Sequence, residues 1–416
     1  MARRLRLVHL VHGYPPAIGG VELSTATLCE RLVRDHDFEV TVLTTDTYGI
    51  SGFHDPSLPR IPIVRDEVRN GVAIRRFPVV TRWAPALRPL QSAAWRLRLP
   101  GNDRLRTWYH GPIAPAMLEA LRRTEADVIC AASFPLNHMT YPFRTRRGTP
   151  VVLVGAVHTN NAWGYDRPHL IRLVGRSHAT VAHTEHERDW LVARGAPRDR
   201  IHVIGHGIEL EALRAAPGRF REAHAIPDDA LVVAFVGQQG GHKGIDTLIA
   251  AFPDVLAAEP SARLVIAGAT TSYSPRLREL VAALPERAAE RVLLLDDVDD
   301  ATRAAVLADC DIFASPSSQE AFGITTLEAW AGSKPVVLGD TPSQHAVAEA
   351  GVSAVLVPPG DTVALAARLR ELASSPARRA ELGAAGHARL LDRYVLADVI
   401  GAYARLFRAV AADGPA

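Results

Sequence analysis

The chain has 416 residues, 48% hydrophobic and 22% charged, with a formal net charge of +2. That length exceeds one ordinary core and predicts two domains. The composition fits neither a disordered nor a membrane-embedded chain, and near-neutrality leaves no field for nucleic acid.

Taken in chain order, the start is basic and then apolar, but too short and too broken by His9 and His12 for a signal peptide. No run approaches the ~20 residues of a membrane-spanning helix. A cytoplasmic protein is expected, with peripheral membrane contact left open. Strands are predicted at Leu5–Leu10, Glu39–Thr44, Val72–Phe77, Asp127–Ala131, Val151–Val154 and Thr180–Ala182, with helical spacing over Val21–Val33. After a short strand at Ile201–Ile204 comes a linker beginning near Gly205, with a brief helix and a Pro217-Gly218 turn. A second series follows at Leu231–Val236, Arg263–Ala267, Val292–Leu295, Ile312–Ala314, Pro335–Leu338 and Ala354–Val357. The end, from Val363 to about Ala411, is helical, with breaks near Ser374–Pro376 and Arg393-Tyr394. Alternating strands and helices predict two doubly wound parallel sheets, each Rossmann-like. Cys29, Cys130 and Cys310 lack metal or redox spacing and read as reduced, buried thiols.

The strongest chemical signal is Glu320-Ala321-Phe322-Gly323-Ile324-Thr325-Thr326-Leu327-Glu328, just beyond a strand. Ligands of open α/β sheets bind there. Gly323 permits close backbone approach, and free N–H groups at a helix start near Ile324 or Thr325 suit a diphosphate. Glu320 can accept hydrogen bonds from sugar hydroxyls and Glu328 can chelate a ribose diol. On spacing alone, the pair reads better as one helix-start charge and one solvated residue. A second loop, Gly237-Gln238-Gln239-Gly240-Gly241-His242-Lys243-Gly244, puts the Lys243 cation near a diphosphate. It is no Walker loop, because Gly244 follows the lysine, and it lacks the Gly-x-Gly-x-x-Gly dinucleotide fingerprint. Gly19 and Gly20 can offer backbone amides from the first domain.

The stretch Ser315 to Gly323, continued through Glu328-Ala329-Trp330 to Lys334-Pro335-Val336-Val337, resembles the donor-site signature of retaining glycosyltransferases of family 4. Val355-Leu356-Val357-Pro358-Pro359-Gly360-Asp361 and Pro15-Pro16-Ala17-Ile18-Gly19-Gly20-Val21-Glu22 resemble its later segment and first-strand loop. The resemblance implies an α/β GT-B architecture, two Rossmann-like domains facing across a cleft. Residues 1–205 would take the acceptor side and 206–392 the nucleotide-sugar donor side, with 393–416 crossing back as a helix. It implies a retaining hexosyltransferase using a UDP- or GDP-type sugar as co-substrate, with a small-molecule acceptor, no cofactor and no metal. Lys243, Glu320 and His158 would be catalytic. Gly19, Gly20, Gln238, His242, Lys243, Phe322, Gly323, Ile324, Thr325 and Glu328 would bind the donor, and Asn160, Asn161, Trp163 and Tyr165 the acceptor. Gln238 stands where the family carries an arginine, and either His242 or a side chain of the first domain is expected to substitute. That departure, with His206 and Glu209 in the linker, leaves a weak or silent sugar-nucleotide-binding protein as the alternative.

Asp297-Val298-Asp299 and Asp309-Cys310-Asp311 match the Asp-x-Asp of metal-dependent enzymes but read as a helix cap and a strand entry. His183, His186, His202 and His206 complete no zinc motif. Arg82, Arg88, Arg96, Arg98, Arg104 and Arg106 interleave with Trp83, Trp95 and Trp108. This mix suits an anionic membrane and a lipid acceptor. The favoured expectation is a solvated helix pair with its tryptophans in the core or an acceptor pocket.

Overall fold

The computed structural model describes residues 3–145, 148–210 and 219–414. Two compact units emerge, Met1–Gly205 with Val399–Ala416, and His206–Asp398. The Pro217-Gly218 turn lies outside the described residues.

The first unit carries strands β1 (Leu5–Leu10), β2 (Phe38–Thr45), β3 (Glu67–Arg69), β4 (Val72–Phe77), β5 (Val128–Ala132), β6 (Val151–Val154), β7 (Ala179–Ala182) and β8 (Ile201–Val203). They form one sheet in the order β3-β4-β2-β1-β5-β6-β7-β8. A parallel strand covered on both faces has no polar alternation. In β5, β6 and β7 every residue is accordingly buried. Among the described strands of this sheet only β3 runs antiparallel, paired with β4. It was not expected, although the Asn70-Gly71 pair that turns it, with φ of 47° and 82°, is a hairpin signal.

The second unit carries β9 (Val232–Val236), β10 (Arg263–Gly268), β11 (Val292–Asp296), β12 (Ile312–Ser315), β13 (Val336–Gly339) and β14 (Val355–Val357), in the order β11-β10-β9-β12-β13-β14. All neighbours in this sheet are parallel. The order reverses at β9 and β12, which pair through Ile312 with Val233 and Phe313 with Ala234. Such a reversal parts the loops that follow the two strands and opens a crevice at their carboxyl ends. Behind it, the helix Ile324–Ala331 buries Trp330, the largest fully buried side chain, whose Nε1 donates to the Ser353 carbonyl at 3.2 Å.

Two expectations need correction. The returning segment begins at Val399 rather than 393. Ile208 N donates to the Tyr394 carbonyl at 3.1 Å and Leu396 N to the Ile208 carbonyl at 3.0 Å. With Tyr394 packed edge-on to Phe322, these bonds hold the start of the helix Leu396–Ala412 on the second unit. Farther along, Phe407 meets Phe38 at 6.3 Å and Arg408 donates to the His36 carbonyl at 2.6 Å, both in the first unit. The second correction concerns Trp83, Trp95 and Trp108, which are 52%, 37% and 50% exposed and fill no core. The helix Ala84–Arg96 turns Gln91 and Ala94 inward instead. All three cysteines are buried and free.

Trp330→Ala should lower the stability of the second unit by about 3 to 5 kcal/mol, because the cavity behind the helix cannot fully close. Urea unfolding measures this. A loss below about 1 kcal/mol would show that the ring does not hold the helix in place.

Candidate active site

The loops after β9 and β12 are joined to each other. The His242 carbonyl accepts from Ser318 N at 2.9 Å, and Lys243 Nζ donates to Glu320 Oε2 at 2.7 Å. Both charged side chains are mostly covered, 19% and 14% exposed. Gly244 lies so close to the β12 loop that a Cβ there would stand 2.3 Å from the Pro316 carbonyl oxygen. That contact explains why glycine, not Ser or Thr, follows the lysine. Ser343 Oγ donates to the Glu320 carbonyl at 2.5 Å, so the loop after β13 holds the β12 loop from its other side.

Gly323, at φ 90°, takes the left-handed turn that starts the Ile324–Ala331 helix. Phe322 turns its ring into the core against His206 and Tyr394, so at this position its backbone faces the loop. Ile324 and Thr325 are half-buried. Glu328, one turn on, is buried. Its Oε1 lies 3.1 Å from Arg303 Nη2, while Oε2 has no hydrogen-bond partner among the described residues. Burial pushes the Glu328 carboxyl upward and the Arg303 cation opposes that shift. Sequence reading missed Arg303, because nothing in the helix Asp300–Asp309 marks which side chain crosses to Glu328.

Gln238 is exposed, and the buried residue is its neighbour Gln239, whose Nε2 donates to Asp296 at 2.9 Å. Burial and the adjacent Lys243 charge lower the His242 pKa, and the Glu320 carboxylate opposes that shift. The Asp-x-Asp pairs are occupied as structural groups. Asp299 caps its helix through Thr302 N, Asp297 accepts from Thr270 N, Asp309 accepts from Phe220 N and Asp311 from Val232 N.

In the first unit, Gly19 precedes the helix Gly20–Asp35, which starts two residues before Glu22. Glu22 is buried, with Oε1 3.0 Å from His12 Nε2, and His12 Nδ1 lies 2.8 Å from Ser133 Oγ. Burial pushes the Glu22 carboxyl upward, yet the His12 hydrogen bond and charge hold it below the usual range. Ser133, just after β5, has φ 83°, a strained conformation for a residue with a side chain. His12 and Ser133 therefore meet where the order of this sheet reverses, at β1 and β5.

The loop after β6 is fixed by Glu187, which is buried and accepts from Ala156 N at 3.0 Å, Val157 N at 3.2 Å and His183 N at 2.7 Å. That places His158, the next residue, with its ring 5.2 Å from Tyr165. Asn160 is exposed. Asn161 Oδ1 accepts from Gly164 N at 2.8 Å, so this side chain caps the short helix Ala162–Tyr165. Trp163 stands edge-on to His110 at 4.9 Å. Glu187 was legible in part, since Thr184-Glu185-His186-Glu187 is a capping-box pattern. Thr184 does cap Glu187 N, but the carboxylate reaches the β6 loop rather than its own cap.

A Cβ at Gly19 would stand 2.3 Å from Glu22 Oε2, whereas one at Gly20 meets nothing within 4 Å. Gly19→Ala should therefore cost about 1 to 3 kcal/mol of stability, and Gly20→Ala should be neutral or slightly stabilising. Thermal unfolding of the two variants decides; equal losses would contradict the packing of Glu22 against this loop.

Residues 218–389 match the family described as Glycosyl transferases group 1, and residues 18–212 match Glycosyltransferase Family 4. The chain is 30% identical over 298 residues to D-inositol 3-phosphate glycosyltransferase 2 of Catenulispora acidiphila, covering 64% of this chain and 69% of that one. It is 29% identical over 309 residues to the phosphatidyl-myo-inositol mannosyltransferase of Mycobacterium leprae, covering 73% of each. Other curated relatives it matches are spanned over about half their length, such as 54% of the D-inositol 3-phosphate glycosyltransferase of Xylanimonas cellulosilytica. Among solved structures, sucrose-phosphate synthase from Thermosynechococcus elongatus superposes with a TM-score of 0.75 at 18% identity, covering 99% of this chain and 100% of that one. Anabaena Alr3699/HepE in complex with UDP-glucose gives 0.71 at 17% identity, covering 98% and 100%. With both halves matched, the chain belongs to the group 1, family 4 glycosyltransferases and has their GT-B fold.

Proposed function

We propose that this chain is a retaining hexosyltransferase that moves a sugar from a UDP- or GDP-type donor to a small-molecule acceptor without a metal. The observation that carries the reading is the Lys243–Glu320 pair, set at the strand-order reversal beside the Gly323 turn. An ammonium has three donors, so Lys243 can hold Glu320 and a diphosphate oxygen together. The amides from Phe322 to Ile324 offer further donors at a helix start, where negative charge is stabilised. Glu320 then orients sugar hydroxyls, and the unpartnered Oε2 of Glu328 takes a ribose hydroxyl while Arg303 holds the other carboxylate oxygen. A solved neighbour of this fold holds UDP-glucose, and relatives transfer sugars to inositol-containing acceptors by name, which supports this class of donor and reaction.

For retention, the acceptor oxygen bonds to the anomeric carbon on the face from which the diphosphate departs. The acceptor proton passes to a leaving phosphate oxygen. The protein supplies position and charge for this step, with Lys243 and the helix-start amides meeting the negative charge as it grows on the leaving group. On the first unit, His158 and the loop of Asn160, Asn161, Trp163 and Tyr165 are assigned to the acceptor, with Gly19 and Gly20 as amide donors to the donor diphosphate.

The division of labour between the carboxylates is testable. Glu328→Ala and Arg303→Gln should each weaken binding of the bare nucleoside diphosphate by about 1 to 3 kcal/mol. Glu320→Ala should leave that affinity nearly unchanged while cutting transfer sharply, and Lys243→Ala should lower turnover at least ~100-fold. Calorimetry beside initial rates measures both. Equal loss of diphosphate affinity in the Glu320 and Glu328 variants would overturn the assignment.

A second reading, binding with weak turnover, is favoured by one observation: Gln238, where the family carries an arginine, is neutral and exposed. On that reading Gln238→Arg should raise turnover by roughly tenfold or more, since one preorganised donor is worth that much in a covered site. No gain in turnover, beside robust transfer by the natural sequence, would remove this reading.

A further inference from the structure

Between β4 and β5 the chain forms two helices, Ala84–Arg96 and Asn102–His110, joined by a turn at Leu97–Gly101. At 100° per residue, Trp83, Ala86, Leu90, Ala93 and Leu97 fall on one stripe. An apolar stripe on a helix normally faces a core, and here Leu87, Gln91 and Ala94 point inward instead. The Trp83, Leu90 and Leu97 side chains are 52%, 57% and 69% exposed, and Ala86 and Ala93 are exposed with them. Leu99 in the turn and Trp108 on the second helix add exposed apolar surface at 46% and 50%.

The charge on this segment has one sign. Arg82, Arg88, Arg96, Arg98 and Arg104 are all exposed, and none has an acidic partner among the described residues. Asp103 is the only acid from Arg82 to Trp108, and it is buried against His169 N and Nδ1 at 2.8 Å. A chain of net charge +2 thus places five exposed cations without acidic partners in one short segment, interleaved in sequence with exposed Trp and Leu. A neutral solvent-facing helix pair needs neither feature. Together they match the headgroup region of an anionic bilayer, where indole and leucine enter the apolar boundary and guanidinium groups remain with phosphates. No described helix is long and apolar enough to cross a membrane, so the contact is one of a surface lying on the bilayer.

We propose that the Trp83–Trp108 helix pair is a docking surface for anionic phospholipid bilayers. It is also tied to the loop already assigned to the acceptor. Arg106, stacked on Trp95, donates to the carbonyls of Trp163 at 2.6 Å and Asp166 at 3.0 Å. The docking assignment stands on the exposed stripe and the unpaired cations alone, whatever the reaction.

Co-sedimentation of the full chain with phosphatidylcholine vesicles, and with vesicles containing about 30% phosphatidylglycerol, tests the proposal. Partitioning should be at least roughly tenfold stronger on the anionic vesicles, should fall as salt rises to about 0.5 M, and should shift tryptophan emission to the blue. Two double variants separate the components: Leu90→Asp with Leu97→Asp, and Arg82→Glu with Arg96→Glu. Each should lower partitioning about tenfold or more without moving the unfolding temperature by more than a few degrees, because all four positions are exposed. Equal binding to neutral and anionic vesicles, no binding to either, or unchanged binding by both variants overturns it. Failure on vesicles with retention on an acidic-peptide resin would make the face a protein interface, which also overturns it.

Discussion

The ligand crevice of the second unit depends on the junction between two loops that the sheet itself pulls apart. Reversal of strand order at β9 and β12 sends their following helices to opposite faces, so nothing in the topology holds the loops together. Side chains and single backbone bonds do it instead: Ser318 N to the His242 carbonyl, Lys243 to Glu320, and the close contact of Gly244 with Pro316. The ion pair is covered enough that removing one partner leaves a poorly solvated charge. The same two groups are the ones assigned to the diphosphate and the sugar. The proposed chemical roles therefore fall on structural groups, and that is why a transfer defect in either variant must be judged beside diphosphate affinity.

The first unit solves the same problem with buried carboxylates. Glu22 fills the space where side chains at Gly13 and Gly19 would lie, and Glu187 collects three backbone N–H groups from the loops after β6 and β7. A carboxylate offers about four acceptor positions in a compact group, so one side chain can satisfy several loop amides that water does not reach. Burial penalises the charge of both. At Glu22 the neighbouring His12 outweighs that penalty, while at Glu187 it does not, and its pKa rises despite three hydrogen bonds. Each anchor lies beside residues assigned to binding: Gly19 and Gly20 in one case, His158 in the other.

Much of this was legible in the sequence, and the reason is the parallel sheet. Strands buried on both faces read as short apolar runs, and ligand loops follow them at predictable places, so Lys243, Gly323 and Glu328 could be set on the correct loops and helix. The β3 hairpin was legible but missed: the Asn-Gly signal was present at Asn70-Gly71, in a strand of only three residues. Arg303, Gln239 and Ser343 were not legible. Their partners lie 25, 57 and 23 positions away, and no local pattern selects one arginine or serine from its neighbours. Trp83 and Trp108 were misplaced for a related reason. Helical spacing shows that a face is apolar but not whether anything covers it.

How the helix pair is attached bears on what it can transmit. Arg167 is fully buried, and its guanidinium reaches the Gly164 and Asp103 carbonyls, Thr107 Oγ1 and His110 Nδ1. Burial lowers its pKa to about 9, which still leaves it charged at neutral pH. Burial and the Arg167 charge hold His110 near 3, so this ring stays neutral and its Nδ1 accepts a hydrogen bond from the arginine. With Arg106 on the Trp163 carbonyl and Asp103 on His169, the pair is bound to residues 163–169 by hydrogen bonds from inside its buried face. Interior contacts of this kind are stiff, because each lost bond would leave a buried donor or acceptor unmet. These bonds fix residues 163–169 to the helix Asn102–His110, and Arg106, stacked on Trp95, links that helix to the one that carries the exposed stripe.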